Sequence, residues 1–183
     1  MREEKTMRYL ALFRGINVGG KNIVKMKELR ELFIEFDFED VRSYIQSGNI
    51  LFTSDKEINE FSLAVNDAFT EKFGFSVQII YRTKSEMLEM IDNLPFTAAE
   101  IVEAEKKDPK IAHLYAYFSE QEIENQELSL IGERAVVRSK TIFYLTEKSI
   151  RFSKLISQLN KLSDGLTARN WKTVLKLVAL LEE

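Results

Sequence analysis

Between Arg14 and Asn22 the chain reads RGINVGGKN, which sets three of its seven glycines among two cations and two carboxamides. Glycine-rich backbone at a strand end turns several N–H groups toward one point, and Arg14 and Lys21 add positive charge, so the stretch suits an anion. The competing explanation is mechanical, since glycine lets a chain turn where other residues are strained. Taken literally, Gly15-x-x-x-x-Gly20-Lys21 is most of a G-x-x-x-x-G-K-[ST] phosphate loop, but Asn22 stands where the magnesium-binding hydroxyl is needed. Helical periodicity begins only at Met26, whereas a P-loop lysine already sits at its helix N-terminus. The spacing therefore predicts a basic, amide-lined loop and not an NTPase motif.

The elements around the loop decide what it meets. MRYLALFR, from Met7, is a nearly continuous apolar run, as a strand with neighbours on both sides would be. Met26, Leu29, Leu32, Phe33 and Phe36 recur at helical spacing. Two β-prone runs, VRSYI and NILFT, are joined through Ser47-Gly48, a hairpin signal. Ser54 and Glu57 make a capping-box pattern before a helix with Ile58, Phe61, Val65, Ala68 and Phe69 on one face. Gly74 ends that helix, and VQIIYR is the next strand. The order βαββαβ is that of a ferredoxin-like α-β plait. In a plait the first strand's end and the hairpin before the third strand share one edge. Arg14, Gly15, Asn17, Gly19, Gly20 and Lys21 are thus expected beside Gln46, Ser47, Gly48 and Asn49. Amides, one hydroxyl and two cations suit a phosphate or another hydrogen-bonding anion, and no general base is among them.

The first domain is accordingly expected over residues 1–83, with Met1–Thr6 as a frayed extension. Residues 84–183 supply a helical connector (84–109), with capping boxes at Thr83/Glu86 and Thr97/Glu100, and a second plait-like subdomain. In this second part IAHLYAYF reads as a strand, Ser119 and Glu122 as the cap of a helix, and RAVVRSKTIFYL as a hairpin. Helices follow through Leu155, Ile156, Leu159 and Leu162 and from Trp171 to Leu181. The fold class is α+β, with two plait subdomains, the second incomplete, its fourth strand replaced by helix.

Composition narrows the chemistry. The 183 residues include no cysteine, which removes disulfides, thiolate nucleophiles and cysteine-based zinc sites. One histidine, His113, leaves no zincin pair, and its alternation with Ile111 and Tyr115 suits a packed sheet position. No apolar run approaches a membrane span and no signal h-region is visible, so a cytoplasmic protein without membrane, metal or cofactor is expected. The net charge of −3 hides polarity: five basic residues against one acid from Arg14 to Arg30, six against one from Arg151 to Lys176, four against eleven from Lys84 to Glu127.

Three motifs in order, RGINVGGKN with YIQSGN, the Ser153-Lys154 pair, and TARNWKTVLKL, resemble the bacterial domain-of-unknown-function family sixteen-ninety-seven. The resemblance runs from Met7 to the C-terminus. It implies two plait-like subdomains, no established activity, and signature positions that include Ser153, Lys154, Thr167, Arg169, Asn170 and Trp171 beside those of the first loop. Lys172 departs from the family's frequent asparagine, and SIRFSK lacks its glycine-rich approach to the Ser-Lys pair. The expected function is binding of, or catalysis on, a phosphorylated or nucleotide-like small molecule. RNA binding through the plaits and a protein-interaction role are the alternatives. The RNA reading is weakened by SGNILFTS, which offers one aromatic and not the aromatic pattern of an RNA-reading third strand. Whether the chain is an enzyme, and its oligomeric state, are not set by the sequence.

Overall fold

A computed structural model describes residues 5–183; the first four residues of the expected extension Met1–Thr6 lie outside the described residues. Among the described residues the fold is α+β, with two antiparallel sheets of four and five strands and six α-helices. The chain divides into two units. One runs up to Leu88 and takes in Leu177–Glu183, and the other spans Glu89–Lys176.

In the first unit β1 (Met7–Phe13), α1 (Met26–Ile34), β2 (Glu39–Ser43), β3 (Asn49–Ser54), α2 (Ile58–Phe73) and β4 (Ile79–Thr83) follow in the expected order. The sheet order is β2-β3-β1-β4, with all pairs antiparallel. Alternate residues of β1, β3 and β4 build one core with the helices: Tyr9, Phe13, Phe52 and Tyr81 pack with Phe33, Phe61 and Phe69. Phe38 stacks on Phe52 at 4.6 Å between ring centroids. The opposite face is as dry, with Leu10, Leu12, Leu51 and Ile80 at most 1% exposed. Burial on both faces is why β1 reads as a continuous apolar run rather than an alternating one.

Gly74 closes α2 at φ 80°, its N–H donating to the Thr70 carbonyl. The expected cap of α2 is displaced by one turn. Glu57 is the N-cap, and Glu60 completes the box by accepting from the Glu57 amide at 2.7 Å. Ser54 instead remains paired with Met7 in the sheet, so the helix cannot begin there. The end of the chain returns to this unit through Arg42, whose Nη1 lies 2.5 Å from Glu183 Oε2.

Helix α3 (Lys84–Asp92) opens on the expected reciprocal box, with Thr83 and Glu86 exchanging hydrogen bonds at 2.7 and 3.1 Å. Helix α4 (Ala98–Lys107) opens on Thr97 and Glu100 in the same way. The second sheet holds β5 (Leu114–Ser119), β6 (Glu127–Leu130), β7 (Glu133–Arg138), β8 (Thr141–Thr146) and β9 (Leu166–Asn170) in the order β6-β7-β8-β5-β9. Two expectations are corrected here. A fourth strand is present: β9 pairs antiparallel with β5, Arg169 opposite Ala116, so TARN is strand where helix was expected to replace it. No helix forms after Ser119 either. Its side chain is buried against Ser163 at 2.9 Å, and the segment runs as irregular chain into β6. Helix α5 is a single turn (Ile156–Leu159), and α6 (Trp171–Glu182) buries Val174, Leu177, Val178 and Leu181 as expected.

Candidate functional site

The glycine loop leaves β1 and is built as a miniature hairpin. Asn17 N–H donates to the Asn22 carbonyl at 3.1 Å and Lys21 N–H to the Val18 carbonyl at 3.1 Å. Gly19 and Gly20 occupy the two central positions at φ 59° and 72°. Positive φ at both is the mark of a type I′ turn, which glycine adopts at little cost. The mechanical explanation of this glycine pair therefore holds, and the helix begins at Met26, as the sequence spacing required.

Asn17 locks this hairpin to its surroundings. Its Nδ2 donates to the carbonyls of Val24 at 2.9 Å and Gln46 at 2.8 Å, and its Oδ1 accepts from Val24 N–H at 2.8 Å. The QSGN turn is thereby joined to the glycine loop at one sheet edge. Phe13 N–H donates to the Gly48 carbonyl at 2.9 Å, continuing the β1–β3 pairing into the turn. Gly48 sits at φ 83° against Phe13 and Ile16; a Cβ there would lie 2.6 Å from each. Asn49, fully buried, holds the turn from inside, its Nδ2 donating to the Tyr44 carbonyl at 2.9 Å and to Ser47 Oγ at 3.1 Å. Asn17 and Asn49 thus act as scaffold, and the groups presented outward are others.

Those groups are cationic and amide. Arg14, Gly15, Gly19, Gly20, Lys21 and Gln46 are exposed. Among the described residues, the Arg14 and Lys21 side chains have no hydrogen bond or ion pair, and the amides of Gly19 and Gly20 donate to nothing, while Val18 pairs with Lys21 across the turn. By contrast Arg8 and Arg42 of the same unit each reach Asp40, and Lys72 reaches Glu35. Ile45, beside Gln46, is a β-branched residue at φ 51°. Such a conformation costs on the order of 1–3 kcal/mol and persists only where the surroundings impose it.

Ser153, Lys154, Arg169 and Asn170 belong to the second unit. Ser153 is organised by a carboxylate that sequence reasoning did not single out. Glu133, with a side chain 1% exposed, accepts hydrogen bonds from Ser153 Oγ, Tyr144 OH (2.7 Å), Lys154 N–H (3.2 Å) and Leu155 N–H (3.4 Å). Burial pushes its carboxyl up, and these donors outweigh burial and leave it below its ordinary value. So saturated a carboxylate is a poor proton acceptor. Its work is to fix the turn that carries Ser153 and Lys154. The signal for it was weak: one glutamate at a hairpin start, five residues after an exposed-looking Leu128.

Arg169 is buried, donating from Nη1 to Thr167 Oγ1 at 2.9 Å and to the Ala168 carbonyl at 2.9 Å. Burial pushes its guanidinium down to about 10, so it keeps its charge at neutral pH. Asn170 caps α6, its Oδ1 accepting from Thr173 N–H at 2.9 Å. His113 is buried just before β5, its ring nitrogens 2.7 and 2.8 Å from the Thr146 and Asp108 carbonyls, packed and hydrogen-bonded as expected but outside the strand. Trp171 packs its ring 6.1 Å from Phe143. A groove of about 510 Å³ in this unit runs between α4 and β6–β8. It is lined by Glu100, Glu103 and Glu147 against Arg134, which Glu100 already engages at 2.6 Å, so it offers little to an anion.

Among the described residues no group of three His, Cys, Asp or Glu side chains is placed to hold a metal ion, and no helix is long and apolar enough to cross a membrane.

Comparison with known proteins places the chain beside proteins without an assigned activity. A family described as "Protein of unknown function (DUF1697)" matches residues 7–150, which include the glycine loop and the QSGN turn. Ser153-Lys154 and the segment from Thr167 to Trp171 lie beyond that match. Among solved structures, the conserved bacterial protein SP0830 from Streptococcus pneumoniae is similar over 97% of this chain and 99% of its own, with 26% identity and a TM-score of 0.67. No curated protein matches the chain.

Proposed function

Because the chain belongs to the DUF1697 family of proteins of unknown function, we propose its function from the site itself: the glycine hairpin and the QSGN turn bind a phosphate-bearing small molecule. One observation carries this reading. Arg14 and Lys21 stand exposed without an acidic partner among the described residues, on a hairpin whose Gly19 and Gly20 amides are unspent. A phosphate supplies what both lack, a negative charge and several acceptor oxygens.

The hairpin is anchored by Asn17 to Val24 and Gln46, so its cations need not be ordered from a floppy loop when the ligand arrives. Among the described residues no carboxylate pairs with them, which favours binding over acid–base chemistry. In the same proposal each unit is an α-β plait and the protein works in the cytoplasm. Single-stranded RNA is disfavoured as the ligand, since Leu10, Leu12, Leu51 and Ile80 are buried on the sheet face where bases would stack.

The test is thermal unfolding against a panel of nucleotides, sugar phosphates and inorganic phosphate. A rise in melting temperature that Arg14→Ala or Lys21→Ala removes supports the proposal. A panel that shifts nothing, or shifts wild type and both variants alike, rejects it.

A further inference from the structure

The ligand class at this loop can be narrowed by what surrounds the cations. Val18, Ile23 and Ile45 are 62%, 63% and 49% exposed. Single exposed apolar residues are ordinary, but these three flank one bonded unit: Asn17 touches Val24 and Gln46 through its side chain, and each of the three is a sequence neighbour of a residue in that network.

Ile45 is the most informative. The other left-handed positions of the two loops, at 15, 17, 19, 20, 22 and 48, are all glycine or asparagine, which tolerate that conformation. Ile45 alone is β-branched there, and about half of its side chain stays in solvent. A strained β-branched residue that keeps half of its surface in water offers that surface to a contact outside the protein.

Resting on the anion site proposed above, we infer that the ligand is a phosphate ester with an apolar or aromatic body. Arg14, Lys21 and the hairpin amides take the phosphate, and Val18, Ile23 and Ile45 cover the body. Inorganic phosphate leaves the three side chains in water, and a polar body gains nothing from them. An apolar body removes both surfaces from water at once.

Calorimetric titration of the full chain with phenyl phosphate, glycerol phosphate and inorganic phosphate separates the cases. Phenyl phosphate is expected to bind about tenfold tighter than glycerol phosphate, the gain from burying a modest apolar area. Ile45→Asn should erase that preference while raising the melting temperature, because asparagine relieves the strained φ. Val18→Thr, which keeps the shape of the side chain, should reduce the preference without touching the backbone. If the three compounds bind alike, or the Ile45 and Val18 variants keep the preference, the inference is overturned and the anion site stands. If none binds, both fall.

Discussion

Asn17 Nδ2 and the Gln46 carbonyl meet at 2.8 Å, joining loops that lie 29 residues apart in sequence. That contact ties the glycine hairpin and the QSGN turn into one hydrogen-bonded unit. Its physical basis is the carboxamide's mixed character: one end donates to two carbonyls while the other accepts from Val24 N–H.

Asn17→Asp should therefore be worse than its size suggests. The carboxylate turns an oxygen toward the Val24 and Gln46 carbonyls, replacing two donors with repulsion. A loss of about 2–3 kcal/mol is expected from unmade bonds to part-buried groups. Urea unfolding reads it, with Asn17→Asp losing more stability than Asn17→Ala, which removes the donors without setting an oxygen against the two carbonyls.

The glycines differ in what an added methyl would meet. At Gly48 a Cβ lies 2.6 Å from Phe13 Cβ and Ile16 Cδ1, on top of a φ of 83°. Nothing lies within 4 Å of the corresponding position at Gly19. Gly19→Ala should cost about 1–2 kcal/mol, from backbone strain alone. Gly48→Ala adds overpacking of the core, roughly another 1–3 kcal/mol. Urea unfolding of the two variants should rank them in that order, and equal costs would mean that the turn relaxes away from Ile16.

The sequence announced the first unit well because each of its elements carries its own signal. The 3.6-residue period from Met26, the turn glycine at Gly48 and the left-handed stop at Gly74 all act locally, and the strand order follows from connectivity. The second unit hid more. TARN has little β propensity, and β9 exists because Ala116 and its neighbours on β5 present an open edge for it. Ser119-x-x-Glu122 matches a capping box, yet Ser119 is drawn into the sheet by pairing with Leu166 and its hydroxyl is spent on Ser163. Glu133 was invisible for the same reason. What marks it is the convergence of four donors from Tyr144, Ser153, Lys154 and Leu155, which no spacing in the sequence records.

Glu133 also sets a pH dependence. Its folded-state pKa lies below the unfolded value despite burial, held there by its donors, so its contribution is present above about pH 5 and is lost as pH falls through the folded value. Glu133→Gln keeps the shape but sets an amide N–H₂ against groups that donate. A loss of about 3 kcal/mol at neutral pH is expected. The gap between wild type and variant should then shrink as pH drops from 5 toward 3, since protonation gives the wild type the same defect. Fluorescence of Trp171, the one tryptophan, reports this unit during urea unfolding. A gap that stays constant across that range would show that Glu133 does not ionise there.

The cations of the glycine loop should behave in the opposite way, affecting ligand response and not the fold. Arg14 and Lys21 are exposed and make no side-chain hydrogen bond or ion pair among the described residues. Replacing either with alanine should leave the ligand-free stability within about 0.5 kcal/mol of wild type. A phosphate ester at 100 times its dissociation constant adds about 2.7 kcal/mol to a protein that binds it only when folded. For a chain of this size that raises the melting temperature by roughly 5–10 °C. Each variant loses a charge-assisted contact of about 1.5–3 kcal/mol, enough to weaken binding by an order of magnitude or more and remove most of the shift at the same ligand concentration. Salt should act on the wild type in the same direction, since exposed charges are screened over roughly 10 Å at 0.1 M. A variant whose ligand-free melting temperature falls has lost structure, and its response cannot be scored. A variant that keeps its melting temperature and its full ligand shift would remove that residue from the site.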